Sequence, residues 1–308
     1  IHTAPASSAY HVKRGVSQKL RFTDLSDVKI NGSYLIGDQE WLLTFGINLP
    51  IGDERLNDSE FIVANVIAED ALDFPLSLYG AGYEANVGFF RAFNLGNSTI
   101  GVGASYFLRG DFQFLDGDST SILKPGDEIT GTIGLNWKIP NGNINMDFYF
   151  TNRMHDKLRN IKVFEPGNKI VLNFSTVLKR YPFAFQFWII NRWKFGSKLA
   201  PSLQDFDFIR EDLNKNPHQI ELGTTLIHEI FNMSMTILYS LDLKKFAKND
   251  AGSEDAFVYG GGIGFRLNPI EWLNLGATFK YYDGYLTSLG ENFELSGFQV
   301  SGVLRFSF

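Results

Sequence analysis

The sequence predicts an all-β fold: a transmembrane, antiparallel, up-and-down β-barrel of about fourteen strands. Three observations predict it. The closing segment Phe298 to Phe308 alternates without a break, with Val300, Leu304, Phe306 and Phe308 on one face and Gln299, Ser301, Arg305 and Ser307 on the other. The same period-2 alternation recurs along the whole chain. The connections between alternating stretches are sorted by length, short at one end and long at the other, as barrel turns and loops are.

Taken in order, the strands are expected near 14–23, 27–36, 39–50, 80–93, 98–113, 127–139 and 142–152, then 168–180, 182–196, 216–229, 231–244, 255–268, 271–283 and 295–308. Should 14–23 not be a strand, parity reduces the count to about twelve. The separation of faces is clearest in 143–150, where Ile144, Met146, Phe148 and Phe150 oppose Asn143, Asn145, Asp147 and Tyr149. Along 232–244, Met233, Met235, Ile237, Tyr239, Leu241 and Leu243 oppose Asn232, Ser234, Thr236, Ser240, Asp242 and Lys244. Along 182–195, Phe183, Phe185, Phe187, Ile189, Trp193 and Phe195 oppose Gln186, Arg192 and Lys194.

With both termini in the periplasm, the short periplasmic turns are 36–39, 94–97, 140–142, 180–181, 229–231 and 268–270, several carrying Gly, Asn or Pro. The long extracellular loops are 51–79, 114–126, 153–167, 197–215, 245–254 and 284–294, and only 24–27 is short on that side. A soluble β-sandwich has no reason to sort its loops in this way. Trp41, Trp137 and Trp193 fall on the apolar face near strand ends, where an interfacial aromatic girdle belongs.

Composition agrees. The 308 residues include no Cys, so disulfide frameworks, thiolate metal sites and cysteine nucleophiles are excluded. Aromatics make up 15%, with 29 Phe, yet mean hydropathy is near zero because apolar and polar residues alternate. No run approaches the roughly 18 apolar residues of a spanning helix, so a membrane protein of this composition has to be a barrel. A net charge of −6 argues against a nucleic-acid partner. No leader segment is evident at Ile1, which is read as the start of a mature chain or of a fragment. The chain reads as one domain, 1–308.

No catalytic constellation is visible, so no enzymatic activity, cofactor or metal is expected. His2, His11, His155, His218 and His228 are scattered, and His228-Glu229 at a strand end is a surface pair before it is a site. Gly260-Gly261-Gly262-Ile263-Gly264 lies inside an alternating strand with no helix to follow it. It permits bending or close approach of the wall and does not form a phosphate loop.

Function is expected on the polar face. The predicted parity sends Lys29, Glu84, Arg109, Asp111, Lys138, Asp147, Arg192, Lys194, Glu221, Asp242, Arg266, Lys280 and Arg305 into the lumen, with Phe90, Phe107, Trp188, Trp272 and Tyr282. Mixed charges with an excess of cations predict cross-barrel pairing and an interior that weakly repels cations. Within loop 51–79 the residues Asn57, Asp58 and Ser59 offer helix caps, and Ile62, Val63, Val66 and Ile67 repeat at helical spacing before Pro75. This predicts a partly helical extracellular loop, with 197–215 as its packing partner.

The terminal Phe308 resembles the signal that outer-membrane proteins present to their insertion machinery, which implies a bacterial outer-membrane location with that machinery and membrane lipid as partners. Strand number, the closing Leu304 to Phe308 and the loop from Asn57 to Leu72 together resemble the outer-membrane long-chain fatty acid and aromatic hydrocarbon transporter family. That resemblance implies passive uptake of small hydrophobic molecules and assigns no site residue. A general diffusion porin and a non-transporting scaffold that holds a protein partner through its loops are the alternatives.

Overall fold

The computed structural model describes residues 5–14, 16–25, 28–37, 40–50, 82–113, 122–199, 209–210, 218–230, 235–247, 255–270, 272–288 and 291–306. All its elements among these residues are strands. In chain order they are β1 (Pro5–Arg14), β2 (Val16–Leu25), β3 (Val28–Ile36), β4 (Trp41–Leu49), β5 (Glu84–Leu95), β6 (Ser98–Arg109) and β7 (Phe112–Gln113). They continue with β8 (Ile122–Lys124), β9 (Glu128–Ile139), β10 (Gly142–Arg153), β11 (Asp156–Leu158), β12 (Ile161–Glu165), β13 (Lys169–Arg180) and β14 (Phe183–Lys194). The last are β15 (Lys198–Leu199), β16 (Ile209–Arg210), β17 (His218–Ile230), β18 (Met235–Phe246), β19 (Asp255–Ile270), β20 (Leu273–Ser288) and β21 (Glu291–Phe306).

Thirteen of these strands form one antiparallel meander in the order β3-β4-β5-β6-β9-β10-β13-β14-β17-β18-β19-β20-β21. Strand pairs joined across the longer connections are staggered in the same sense. β5 runs on from Arg91, opposite Trp41, to Leu95. β9 runs from Trp137, opposite Ser98, to Ile139, and β13 from Leu178, opposite Gly142, to Arg180. β17 likewise continues from His228, opposite Phe183, to Ile230. Stagger that accumulates in one direction tilts the strands and curls a sheet toward closure. The sheet nevertheless stays open: β3 and β21 are its two edges.

The two faces are sorted in the sense opposite to that of a soluble protein. Phe45, Val87, Phe89, Ile133, Phe148, Leu241, Ile263 and Phe279 lie exposed on one face, whereas buried apolar side chains among the described residues are few: Ala184, Phe246, Ala256 and Val258. A soluble sheet turns its apolar face onto a core. An apolar belt of this extent is far larger than the patches soluble monomers expose, and it needs a lipid environment.

Several expectations require correction. The expected strand 14–23 forms as β2, but it pairs with β1 in a separate two-stranded sheet, so the main sheet holds thirteen strands and not fourteen. Strand 98–113 breaks at Gly110-Asp111, because a Cβ at Gly110 would collide with the Tyr83 carbonyl and the chain passes there only without a side chain. Loops 114–126, 153–167 and 197–215 contain the strands β8, β11, β12, β15 and β16, which join β7 in a six-stranded sheet that prolongs the hairpins. Loop 284–294 is also strand, since β20 reaches Ser288 and β21 starts at Glu291. Tyr285 stands opposite Glu294 there, and Gly284 lets β20 lie close against the Phe257 carbonyl. The proposed helix at Ile62, Val63, Val66 and Ile67, and the terminal Phe308, lie outside the described residues.

Candidate functional site: the polar face

Cross-strand partners share a face, so the register places the polar side chains directly. Lys29, Asn48, Glu84 and Arg109 stand in one row across β3, β4, β5 and β6. Arg109 donates from Nη2 to Glu128 Oε1 at 2.7 Å, lies 3.8 Å from the Glu84 carboxylate, and holds its guanidinium 5.2 Å from the centre of the Phe107 ring. Opposite Glu128 stands Arg153, which donates to both oxygens of Asp156 at 2.8 and 3.0 Å. The backbone N–H of Gly126 donates to the same carboxylate at 2.7 Å.

Beside this row, Asp127 accepts from the Tyr106 hydroxyl at 2.6 Å and from the Arg109 N–H at 3.0 Å. Burial pushes the Asp127 carboxyl up, but the bonds from Arg109 and Tyr106, with the charges of Lys124 and Arg109, outweigh it and hold the group below the ordinary carboxylate range.

The other half of the wall is arranged differently. Arg192 donates to Glu221 at 2.7 Å, Glu221 stands opposite Lys244, and Lys169 stands opposite Lys194. Lys280 on β20 reaches Asp242 on β18 at 3.3 Å, across the intervening β19. Glycines make that reach possible: Gly260 and Gly262 face inward between them, and a Cβ there would meet Asp242, Tyr282 and Lys280. Tyr282 donates to Gln299 at 3.2 Å. A recess of about 150 Å³ lies beside the ion pair, bordered by Trp188, Ser240, Asp242, Thr278 and Lys280 among others.

The inward aromatics lie along the wall. A Cβ built on Gly103 would overlap the Phe90 ring, one on Gly223 the Trp188 indole, and one on Gly260 the Tyr282 ring. Each ring therefore lies over a glycine of the neighbouring strand, the packing that rescues a glycine within a sheet.

Most of the candidates share this face by register. Asp147 stands opposite Gly134 and Asn173, Lys138 opposite Asn143, Arg266 opposite Thr236, and Arg305 opposite Asn274. Two do not sit on strands. Asp111 falls in the break after β6, and Trp272 in the turn before β20, where it is 48% exposed. The lumen candidates leave out Glu128, Arg153 and Lys169, and also Lys244 although it falls on the polar side of 232–244; the register puts all four on the same face. The alternation in 127–139 and 231–244 already pointed to Glu128 and Lys244. Arg153 falls in the expected loop 153–167, whereas Lys169 lies inside the expected strand 168–180 without an assigned face.

The histidines remain apart. His155 lies 3.3 Å from Glu165, His218 lies 2.6 Å from Asn191 and stacks on Trp193, and His228 packs on Phe183. Among the described residues no group of three or more His, Asp or Glu side chains is arranged to hold a metal ion.

An antiparallel meander with an exposed apolar face and a charged, hydrogen-bonded opposite face is the wall of an outer-membrane-type β-barrel. The chain is similar in structure to outer-membrane expressed OmpT of Vibrio cholerae, with a TM-score of 0.46 and 10% identity over 99% of this chain and 88% of that one. It is similar to a loop L8 deletion mutant of the same protein, with a TM-score of 0.46 and 8% identity over 99% and 96% of the two chains. A porin aligns with a TM-score of 0.42 and 10% identity over 98% of each chain. No protein-family model and no curated protein matches the chain. Likenesses this loose carry nothing about function, and the barrel class rests on strand order, stagger and the two faces.

Proposed function

We propose that this chain is an outer-membrane β-barrel that closes at fourteen strands and passes small, water-soluble solutes by passive diffusion, with both termini in the periplasm. Parity supports the closure. The first and last strands of a thirteen-stranded antiparallel meander run in the same direction, so β3 and β21 cannot close antiparallel on each other. One strand of opposite direction is needed between them. Only residues 26–27 separate β2 from β3 in the chain, and a tight turn there would run β2 antiparallel to β3, as closure needs. An open edge leaves a row of backbone N–H and C=O groups without partners, which hydrocarbon does not tolerate.

The observation that carries the function is the composition of the inner face: charged pairs and hydrogen-bonded amides, with the aromatic rings lying over glycines. A water-filled lumen accommodates such a wall. The hydrophobic cargo expected from the family resemblance would draw on Phe90, Phe107, Trp188 and Tyr282, yet three of these are occupied in covering the wall.

Single-channel conductance of the purified protein in planar bilayers, with and without a long-chain fatty acid, tests the reading. Steady conductance steps indifferent to fatty acid support it, and small, flickering steps altered by fatty acid would return the hydrophobic reading to first place. Closure has its own test, since the chain has no Cys to interfere. A two-residue connection sets Thr23 opposite Ile30, whereas in the β1–β2 sheet Thr23 stands opposite Ser7. Oxidation of the Thr23→Cys/Ile30→Cys double variant in membranes should cross-link it. Cross-linking of Ser7→Cys/Thr23→Cys alone refutes closure through β2.

A further inference from the structure

The recess beside the Lys280–Asp242 pair is built from three rows of the register. In the first, Trp188 and Asp242 stand on either side of Gly223. In the second, Thr225 stands opposite Ser240, and Gly262 separates Ser240 from Lys280. In the third, Gly264 separates Leu238 from Thr278. Glycine makes the hollow: a Cβ on Gly264 would press on Thr278, and one on Gly262 would meet Ser240 and Lys280. The space of about 150 Å³ that remains is enough for one six-membered ring.

Trp188 lies over Gly223, so the wall covers one face of the indole and the other turns inward. The charged groups of the lining are one acid and one base, 3.3 Å apart, which leaves the recess without net charge. Their single hydrogen bond spares a carboxylate oxygen and two ammonium protons for a ligand. The facing hydroxyls of Thr225 and Ser240 have no hydrogen-bond partner among the described residues, and Thr278 shares its hydroxyl with Ser301.

This chemistry selects among small solutes. A compensated ion pair gives little to a free ion, and one aromatic plane among hydroxyls gives little to an acyl chain. A planar base presents its donors and acceptors along fixed edges, whereas here they surround the space from β17, β18 and β20. A pyranose has a C–H face that lies on an indole and rim hydroxyls that each donate and accept.

We infer that this recess is a binding subsite for a neutral pyranose, with the sugar's C–H face on Trp188 and its hydroxyls shared among Thr225, Ser240 and the Asp242–Lys280 pair. The inference rests on the diffusion-pore reading for its access route and deepens it, by naming neutral sugars as the solute class held at the wall.

The test is calorimetric titration of glucose into the purified protein in a zwitterionic, sugar-free detergent, with single-channel conductance recorded beside it. Wild type should bind glucose saturably, and sorbitol, an open-chain polyol without the ring, about tenfold more weakly. Ser240→Ala should weaken glucose about fivefold, the worth of one neutral hydrogen bond, and Trp188→Ala about tenfold, with Trp188→Phe between wild type and Trp188→Ala. Thr132→Ala, which removes an inward hydroxyl of β9 opposite Gly103 and Tyr149, should leave binding unchanged. Equal affinity for glucose and sorbitol, tighter binding of uracil or toluene than of glucose, or wild-type affinity in both Ser240→Ala and Trp188→Ala overturns the inference. Steady conductance without saturable glucose binding refutes the subsite and keeps the pore. A silent protein whose glucose binding is lost in Trp188→Ala refutes the pore and keeps the subsite, and absence of both refutes the two together.

Discussion

Ile133 stands near the middle of β9 with its side chain 55% exposed, and its cross-strand neighbours on the same face are Val102 and Phe148. Asn173, near the middle of β13, faces the other way and stands opposite Asp147. Replacing each with Arg therefore tests the assignment of faces with the same chemical change. At the midplane of a bilayer an outward Arg costs about 2–4 kcal/mol, because the guanidinium is removed from water with no partner, which lowers the folding equilibrium constant roughly 30- to 900-fold. An inward Arg at position 173 remains in a polar lumen and gains Asp147 as a neighbour, so its effect stays within about 0.5 kcal/mol. Were the exposed face in water, Ile133→Arg would be equally neutral, because it replaces an exposed side chain. Equilibrium unfolding by guanidinium in phospholipid vesicles measures both variants. A neutral Ile133→Arg, or an Asn173→Arg as costly as it, would refute the orientation on which the whole functional reading depends.

Two further outcomes follow from the same wall. Gly223→Ala forces the Trp188 indole off its glycine and should cost about 1–3 kcal/mol by overpacking. Trp188→Ala in the same chain should remove most of that cost, so additive losses in the double-mutant cycle would show that ring and glycine do not pack together. Because the Asp127 carboxyl is held below its ordinary value, its contribution to stability is fully present above about pH 3.9, the unfolded value, and is lost as pH falls through the lower folded one. Asp127→Asn should flatten the acid side of the stability profile, measured as urea midpoints between pH 7 and pH 3. Parallel profiles for variant and wild type would count against it.

Particular residues show how much was legible before the fold was known. Alternation in 142–152 and 231–244 sent Asp147 and Asp242 to one face and Phe148 and Leu241 to the other, and the structure has the same division. Most turns were legible for a related reason, since Asn141 and Gly96 adopt the positive φ their turns need. The extended hairpin of β20 and β21 was misread because Gly284 and Asp283 look like a turn, while pairing with β19 carries the strand through them.

Side-chain direction in a strand is a local property with a period of two, so the chain alone determined the two faces, the lipid-ready belt and the membership of the polar wall. Which inward charges meet was decided elsewhere. Arg109 bridges Glu84 and Glu128 because β6 lies between β5 and β9 at one stagger, and Lys280 finds Asp242 because β19 presents glycine where the two cross. Lys169 opposes Lys194 for the same kind of reason. Register and stagger are properties of pairs of strands, set by the packing of the whole sheet, and a shift of two residues would preserve every face while exchanging every partner.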